Sequence, residues 1–285
     1  MPDNAAASEA GAAPLISSNL KLRLVSGLAF AALAFALTYA GPIPFVVLVL
    51  VCALVISWEW GRLVRGVAFD LGFFVHAGAV AAGIVLAAAG YAALGLAALI
   101  IAAIILVPLY MGRGARLSAL GVFYVGLPAI ALLWMRGDEP YGFLAVLFIF
   151  AVVWGSDTAA YAAGRTIGGP KLWPRVSPNK TWAGFIGALA AGAASGAIFA
   201  ALVADADAVR LILLGIGLAA VAQAGDLAES ALKRLFHLKD ASDLIPGHGG
   251  FMDRMDSLVA AATAAALLAL LIDAHAPARA LLLGV

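Results

Sequence analysis

Nine uninterrupted apolar stretches run through this chain, at about 24–41, 43–61, 71–90, 92–112, 118–135, 142–163, 182–204, 209–230 and 252–273. Each has roughly the 17 to 25 residues that a helix needs to cross the hydrocarbon core of a bilayer. The expected fold is therefore all-α: a polytopic membrane protein with about nine transmembrane helices. Composition agrees, since 17 basic and 16 acidic side chains in 285 residues, with a mean hydropathy of +1.06, cannot clothe a water-soluble surface. The turn residues "AGP" at 40–42 and "GY" at 90–91 predict two tight helical hairpins. Residues 1–19, rich in Ala, Ser and Pro, read as a flexible tail rather than a cleaved signal peptide. Residues 20–285 show no repeat and no linker and are expected to form a single transmembrane domain.

Charge excludes some classes and sets an orientation. A formal net charge of +1 argues against a nucleic-acid partner, and a lone cysteine, Cys52, rules out an intrachain disulfide and a thiol metal site. Along the nine-span map, fourteen of the 17 Lys and Arg residues fall on one side, leaving only Arg136, Arg210 and Arg279 on the other. The positive-inside bias then predicts a cytoplasmic N-terminus, an external C-terminus and two long polar loops, about 164–181 and 231–251, in the cytoplasm.

The acidic residues meet at one depth of that map. Asp157 lies near the inner end of the sixth span, Asp226 and Glu229 near the inner end of the eighth, and Asp253 and Asp256 at the inner start of the ninth. A carboxylate in a membrane helix is costly and marks a bundle interior or a wet cavity. Asp226 and Glu229, like Asp253 and Asp256, are three residues apart and share a helix face. Hard oxygen donors in this number suit Mg²⁺ rather than zinc. The plainer reading of Glu229 is an i,i+4 ion pair with Lys233.

Two polar stretches supply phosphate chemistry. "KDASDLIPGHGGFMDRMDS", 239–257, carries glycines whose bare N–H groups can approach a ligand at a helix N-terminus. "GRTIGGPKLWPRVSPNKTWAG", 164–184, gathers Arg165, Lys171, Arg175 and Lys180 with Ser177, Asn179 and Thr181, a set suited to several phosphate oxygens, although basic loops also serve topology alone. Lys180, in the compact "SPNKT", is the preferred substrate contact. Trp173 and Trp182 read as interfacial anchors, Ser156 and Tyr161 can line an entrance beside Asp157, and Glu59 in "SWEW" is equally consistent with a site and with an interface.

These residues resemble a family. "SALKRLFHLKDASDLIPGHGGFMDRMD", Ser230 to Asp256, is similar to the C-terminal pattern of phosphatidate cytidylyltransferases (CDP-diacylglycerol synthases), and "WGSDTAAYAAGRTIGG" with "SPNKTWAG" resembles the family's other polar stretches. The match in motifs covers about 154–257; Asn179 and Ala183 stand where many members have Lys and Glu. The resemblance implies transfer of a cytidylyl group from CTP to phosphatidic acid, with release of pyrophosphate, at the cytoplasmic face of a cell membrane, the bacterial inner membrane being the expected one. It implies Mg²⁺, with K⁺ as a second cation. Asp226 and Asp253 would be the metal carboxylates and Asp256 their support. Lys233, Arg234, Lys239 and Arg254 would offset phosphate charge, and His248, Gly249 and Gly250 would shape the phosphate loop. A CTP-dependent polyprenol or phytol kinase, and a membrane transporter, remain alternatives with similar carboxylates. Gly- and Ala-rich helices are compatible with a homodimer in the lipid bilayer.

Overall fold

The computed structural model describes residues 18–110, 112–244 and 249–285. Its helices are α1 (Ser18–Tyr39), α2 (Pro42–Arg65), α3 (Leu71–Ala88), α4 (Ala92–Leu109), α5 (Arg113–Arg136), α6 (Gly142–Thr166), α7 (Trp182–Leu202), α8 (Ala208–Leu235), α9 (Met252–Ile272) and α10 (Pro277–Leu283), with strands β1 (Lys171–Trp173) and β2 (Ser177–Thr181) between α6 and α7. Among the described residues, eight helices, α2 to α9, are long and apolar enough to cross a membrane. They are the second to ninth expected spans, and the first lies in α1, which is apolar over Gly27–Tyr39. The chain is an all-α polytopic membrane protein.

Local chemistry explains where the helices begin. Pro42 opens α2, where its missing N–H costs nothing. Asp70, Thr181 and Asp207 cap α3, α7 and α8 by accepting the N–H groups of Phe73, Gly184 and Arg210. Asp70 does more, because Arg65 at the end of α2 pairs with it at 2.9 Å and the Tyr110 hydroxyl donates to it at 2.5 Å. Burial pushes its carboxyl up, but the Tyr110 and Phe73 hydrogen bonds and the Arg65 charge outweigh that and hold it below the ordinary range. The expected hairpins are present: α1 and α2 pack together across residues 40–41, and α3 and α4 across 89–91.

Three features depart from the sequence expectations. The connection from α6 to α7, expected as a loop, folds into an antiparallel hairpin with Lys171 opposite Thr181 and Trp173 opposite Ser177. α10 forms beyond the last span, held by two backbone N–H groups that donate to Asp138 and by Arg210, which donates to the Ala280 carbonyl at 2.7 Å. α1 starts at Ser18, two residues inside the expected tail, whose other residues lie outside the described ones. In the bundle, α7 packs against α6 and α8, and α8 against α9. Chain direction alternates, so the ends of α2, α6 and α8 meet the beginnings of α7 and α9 at one end of the bundle, and Arg136, Arg210 and Arg279 mark the other.

Candidate active site

At that end lies a cavity of about 640 Å³, lined from α6 by Asp157, Tyr161 and Arg165, from the hairpin by Leu172, Asn179, Lys180 and Thr181, from α7 by Phe185, from α8 by Gln223 and Asp226, and from α9 by Asp253, Arg254 and Asp256. Four carboxylates and three cationic side chains thus face one space. Their convergence depends on close helix packing. A Cβ at Gly225 would lie 3.0 Å from the Asp256 carbonyl oxygen, so the missing side chain next to Asp226 lets α8 close on α9 and brings the two acids together.

Each carboxylate is held differently. Asp226, a third exposed, pairs with Lys180 at 2.7 Å and accepts a 3.4 Å hydrogen bond from the Ser230 hydroxyl. Asp157 accepts from the Gln223 side-chain amide at 3.0 Å and from the Ser257 hydroxyl at 3.3 Å. Asp256 is buried and accepts the Ser257 N–H at 2.7 Å. Asp253 accepts the N–H groups of Gly250 at 2.7 Å and Ala241 at 3.0 Å and pairs with Lys233 at 2.5 Å. Lys233 also lies 2.6 Å from Glu229, so one buried ammonium bridges two carboxylates. The expected i,i+4 pair of Glu229 and Lys233 is therefore present, and Lys233 reaches the site through Asp253 rather than by lining the cavity.

Other predicted site residues fall outside the cavity wall. Ser177 begins β2 opposite Trp173. Arg234 is exposed and donates to the carbonyls of Leu238 and Val176, tying the end of α8 to the hairpin turn, and Lys239 is exposed. The Gly250 N–H donates to Asp253 at 2.7 Å, because the chain enters α9 directly against that carboxylate. His248 lies outside the described residues. Arg254 lines the cavity.

Two residues matter more than the sequence reading allowed. Gln223 is buried and links Lys180, which donates to its side-chain oxygen at 3.2 Å, to Asp157. Its signal is its position, three residues before Asp226 and the one polar side chain in the apolar run 211–225. Glu59, which the sequence makes equally consistent with a site and with an interface, is fully buried beneath the entry to α9. Among the described residues, no three His, Cys, Asp or Glu side chains converge as a ready-made metal ligand set. The donors facing the cavity are nonetheless all of the hard oxygen type that Mg²⁺ takes.

The pattern of the cytidylyltransferase family matches residues 21–272, nearly the whole chain. The chain belongs to that family. A relative from Brucella suis biovar 1 (strain 1330) is 41% identical over 247 residues, which is 86% of this chain and 91% of the relative. Family members from Haemophilus influenzae and Bacillus subtilis are 41% and 38% identical over 149 and 142 residues, about half of each chain. All three relatives bear the name phosphatidate cytidylyltransferase. In this family member, every lining residue of the cavity lies within the matched span.

Proposed function

We propose that this chain transfers the cytidylyl group of CTP to phosphatidate, giving CDP-diacylglycerol and pyrophosphate. The observation that carries the reading is the cavity itself, which sets Lys180, Arg165 and Arg254 against four carboxylates at one end of a membrane bundle. Two polyanionic substrates can be brought together only where cations offset their repulsion. A phosphate oxygen of phosphatidate attacks the α-phosphorus of CTP, the bond from that phosphorus to the bridging oxygen breaks, and pyrophosphate departs with the electron pair. The attacking oxygen is already ionised, so no strong general base is required.

The residues divide this work. Lys180, with Asn179 and Thr181 beside it, suits the triphosphate; Arg165 and Arg254 suit the lipid phosphate and the leaving group. Asp226 and Asp253 are the residues that would hold Mg²⁺, with Asp256 and Asp157 next to them and K⁺ as a second cation; what supports this is the all-oxygen donor set. When bound, the metal supplies positive charge to the reacting phosphates. Tyr161 on α6 lines the cavity and Trp182, at the start of α7, stands edge-on to Phe185, which also lines it; both Tyr161 and Trp182 are about half exposed, which suits the side from which a lipid headgroup would enter. The decisive assay gives purified protein labelled CTP with phosphatidate or polyprenol. Label from the cytidine is expected in the lipid phase with phosphatidate; γ-phosphate label there would instead select a lipid kinase, and neither label would favour transport.

The site is proposed to face the cytoplasm, in the bacterial inner membrane, and a homodimer is proposed on the small-residue helices. A reporter fused after Arg175, in the hairpin turn, is expected to report a cytoplasmic location and one at the C-terminus an external one. An external signal from the first fusion would separate the cavity from CTP and overturn the orientation.

A further inference from the structure

We propose that Glu59 is a positioning residue for the reaction, a carboxylate from α2 that fastens the backbone leading into α9 and thereby sets Asp253. The inference rests on the cytidylyl-transfer reading for what Asp253 does there. Glu59 is fully buried, and a buried carboxylate is costly unless hydrogen bonds satisfy it. One oxygen accepts the Phe251 N–H at 2.8 Å and the Ser242 hydroxyl, and the other accepts the Met252 N–H at 2.5 Å. Phe251 and Met252 are the first backbone donors of α9, so the negative charge also meets the positive end of the helix.

Two carboxylates from two helices divide the donors of residues 241–242 and 250–252. Ala241 and Gly250 donate N–H groups to Asp253, whereas Ser242, Phe251 and Met252 donate to Glu59. Both pairs of neighbouring donors, Ala241 with Ser242 and Gly250 with Phe251, are thus split between the two carboxylates, so a shift of one carboxylate pulls on the donors of the other. Gly250 is held between them: a Cβ there would lie 2.8 Å from Glu59 Oε1 and 3.0 Å from the Ala241 Cβ. Glu59 itself does not line the cavity, so its effect on chemistry passes through the placement of Asp253 and Arg254. A misplacement of about 1 Å in a reacting group can cost on the order of 10²-fold in rate.

The test compares Glu59→Gln with wild type by steady-state kinetics and by amide hydrogen exchange in detergent. Gln keeps the size but replaces one acceptor oxygen with a donor facing backbone N–H groups. A loss of about 10- to 100-fold in kcat is expected. KM for CTP should shift by no more than about threefold, because Lys180, Asn179 and Thr181 belong to the hairpin, whereas Glu59 holds Ser242, Phe251 and Met252. Exchange should rise at Gly250, Phe251 and Met252 while α7 and α8 keep their protection. Glu59→Asp, which retains the charge and both oxygens, should recover part of the rate. If Glu59→Gln fails to fold, Ser242→Ala is the second variant, expected to lower kcat by about 2- to 5-fold with the same local rise in exchange. A kcat within about twofold of wild type, unchanged exchange at 250–252, or exchange raised equally in every helix would each overturn the inference. A wild-type protein that moves no cytidylyl label would sink the proposed function instead, and exchange would still decide whether Glu59 fastens this stretch.

Discussion

Asp226→Asn and Asp253→Asn are each expected to lower CTP-dependent formation of CDP-diacylglycerol by about 10²-fold or more. Asn preserves size and deletes the charge that offsets bound cations at the reacting phosphates. The two substitutions should differ in their structural cost. Asp226 loses a half-open pair with Lys180, whereas Asp253 loses a buried pair with Lys233 and turns an amide toward the N–H groups of Gly250 and Ala241. Folded yield should therefore fall more for Asp253→Asn, and rates must be compared at matched yield. The double variant should be scarcely slower than either single one, because groups acting as a unit are not additive. Asp243 is exposed and outside the cavity lining, and its change to Asn should be tolerated with a modest loss. Retention of most of the wild-type rate by both single variants would make these carboxylates structural.

Lys233→Met should produce the largest loss of stability. The Lys233 side chain is 9% exposed and lies between Glu229 at 0% and Asp253 at 8%. Removing the cation strands the fully buried Glu229 carboxylate and leaves Asp253, on the cavity wall, with only its backbone N–H partners; breaking a buried pair in this way costs about 3–5 kcal/mol. Thermal unfolding in detergent should show a clear drop, accompanied by loss of activity as Asp253 loses its partner. Adding Glu229→Gln to Lys233→Met removes the stranded charge and should restore part of the stability without restoring the rate. Equal unfolding temperatures for Lys233→Met and wild type would show that water already satisfies the triad. This expectation separates Lys233 from Lys180: the first holds the site together, and the second faces the cavity.

The sequence alone determined that α2 to α9 are membrane helices and that Asp157, Asp226, Asp253 and Asp256 share one end of them. In hydrocarbon every backbone polar group must be paired within its own segment, so an apolar run of sufficient length specifies a helix without reference to its neighbours. Alternating direction then fixes, by counting, which helix ends meet. The motifs carried the family as well, through chemistry written in consecutive residues from Ser230 to Asp256.

Only the tertiary structure decided which charge pairs with which. Lys180 finds Asp226 from 46 positions away in the chain, Gln223 reaches Asp157 across two helices, and Glu59 meets Phe251 at a separation of 192 residues. Hydropathy fixes how deep a residue lies but not the rotation of its helix, and rotation selects partners. That rotation is set by side-chain packing and by close approaches such as Gly225 against Asp256. The hairpin at 171–181 is not legible in the sequence for a related reason: its strands are short and polar, and its second strand runs directly into the helix capped by Thr181. Gly250 shows the same limit at one atom. Its N–H was legible as a donor from the sequence, but its acceptor, Asp253, was fixed only by how the chain enters α9 over Glu59.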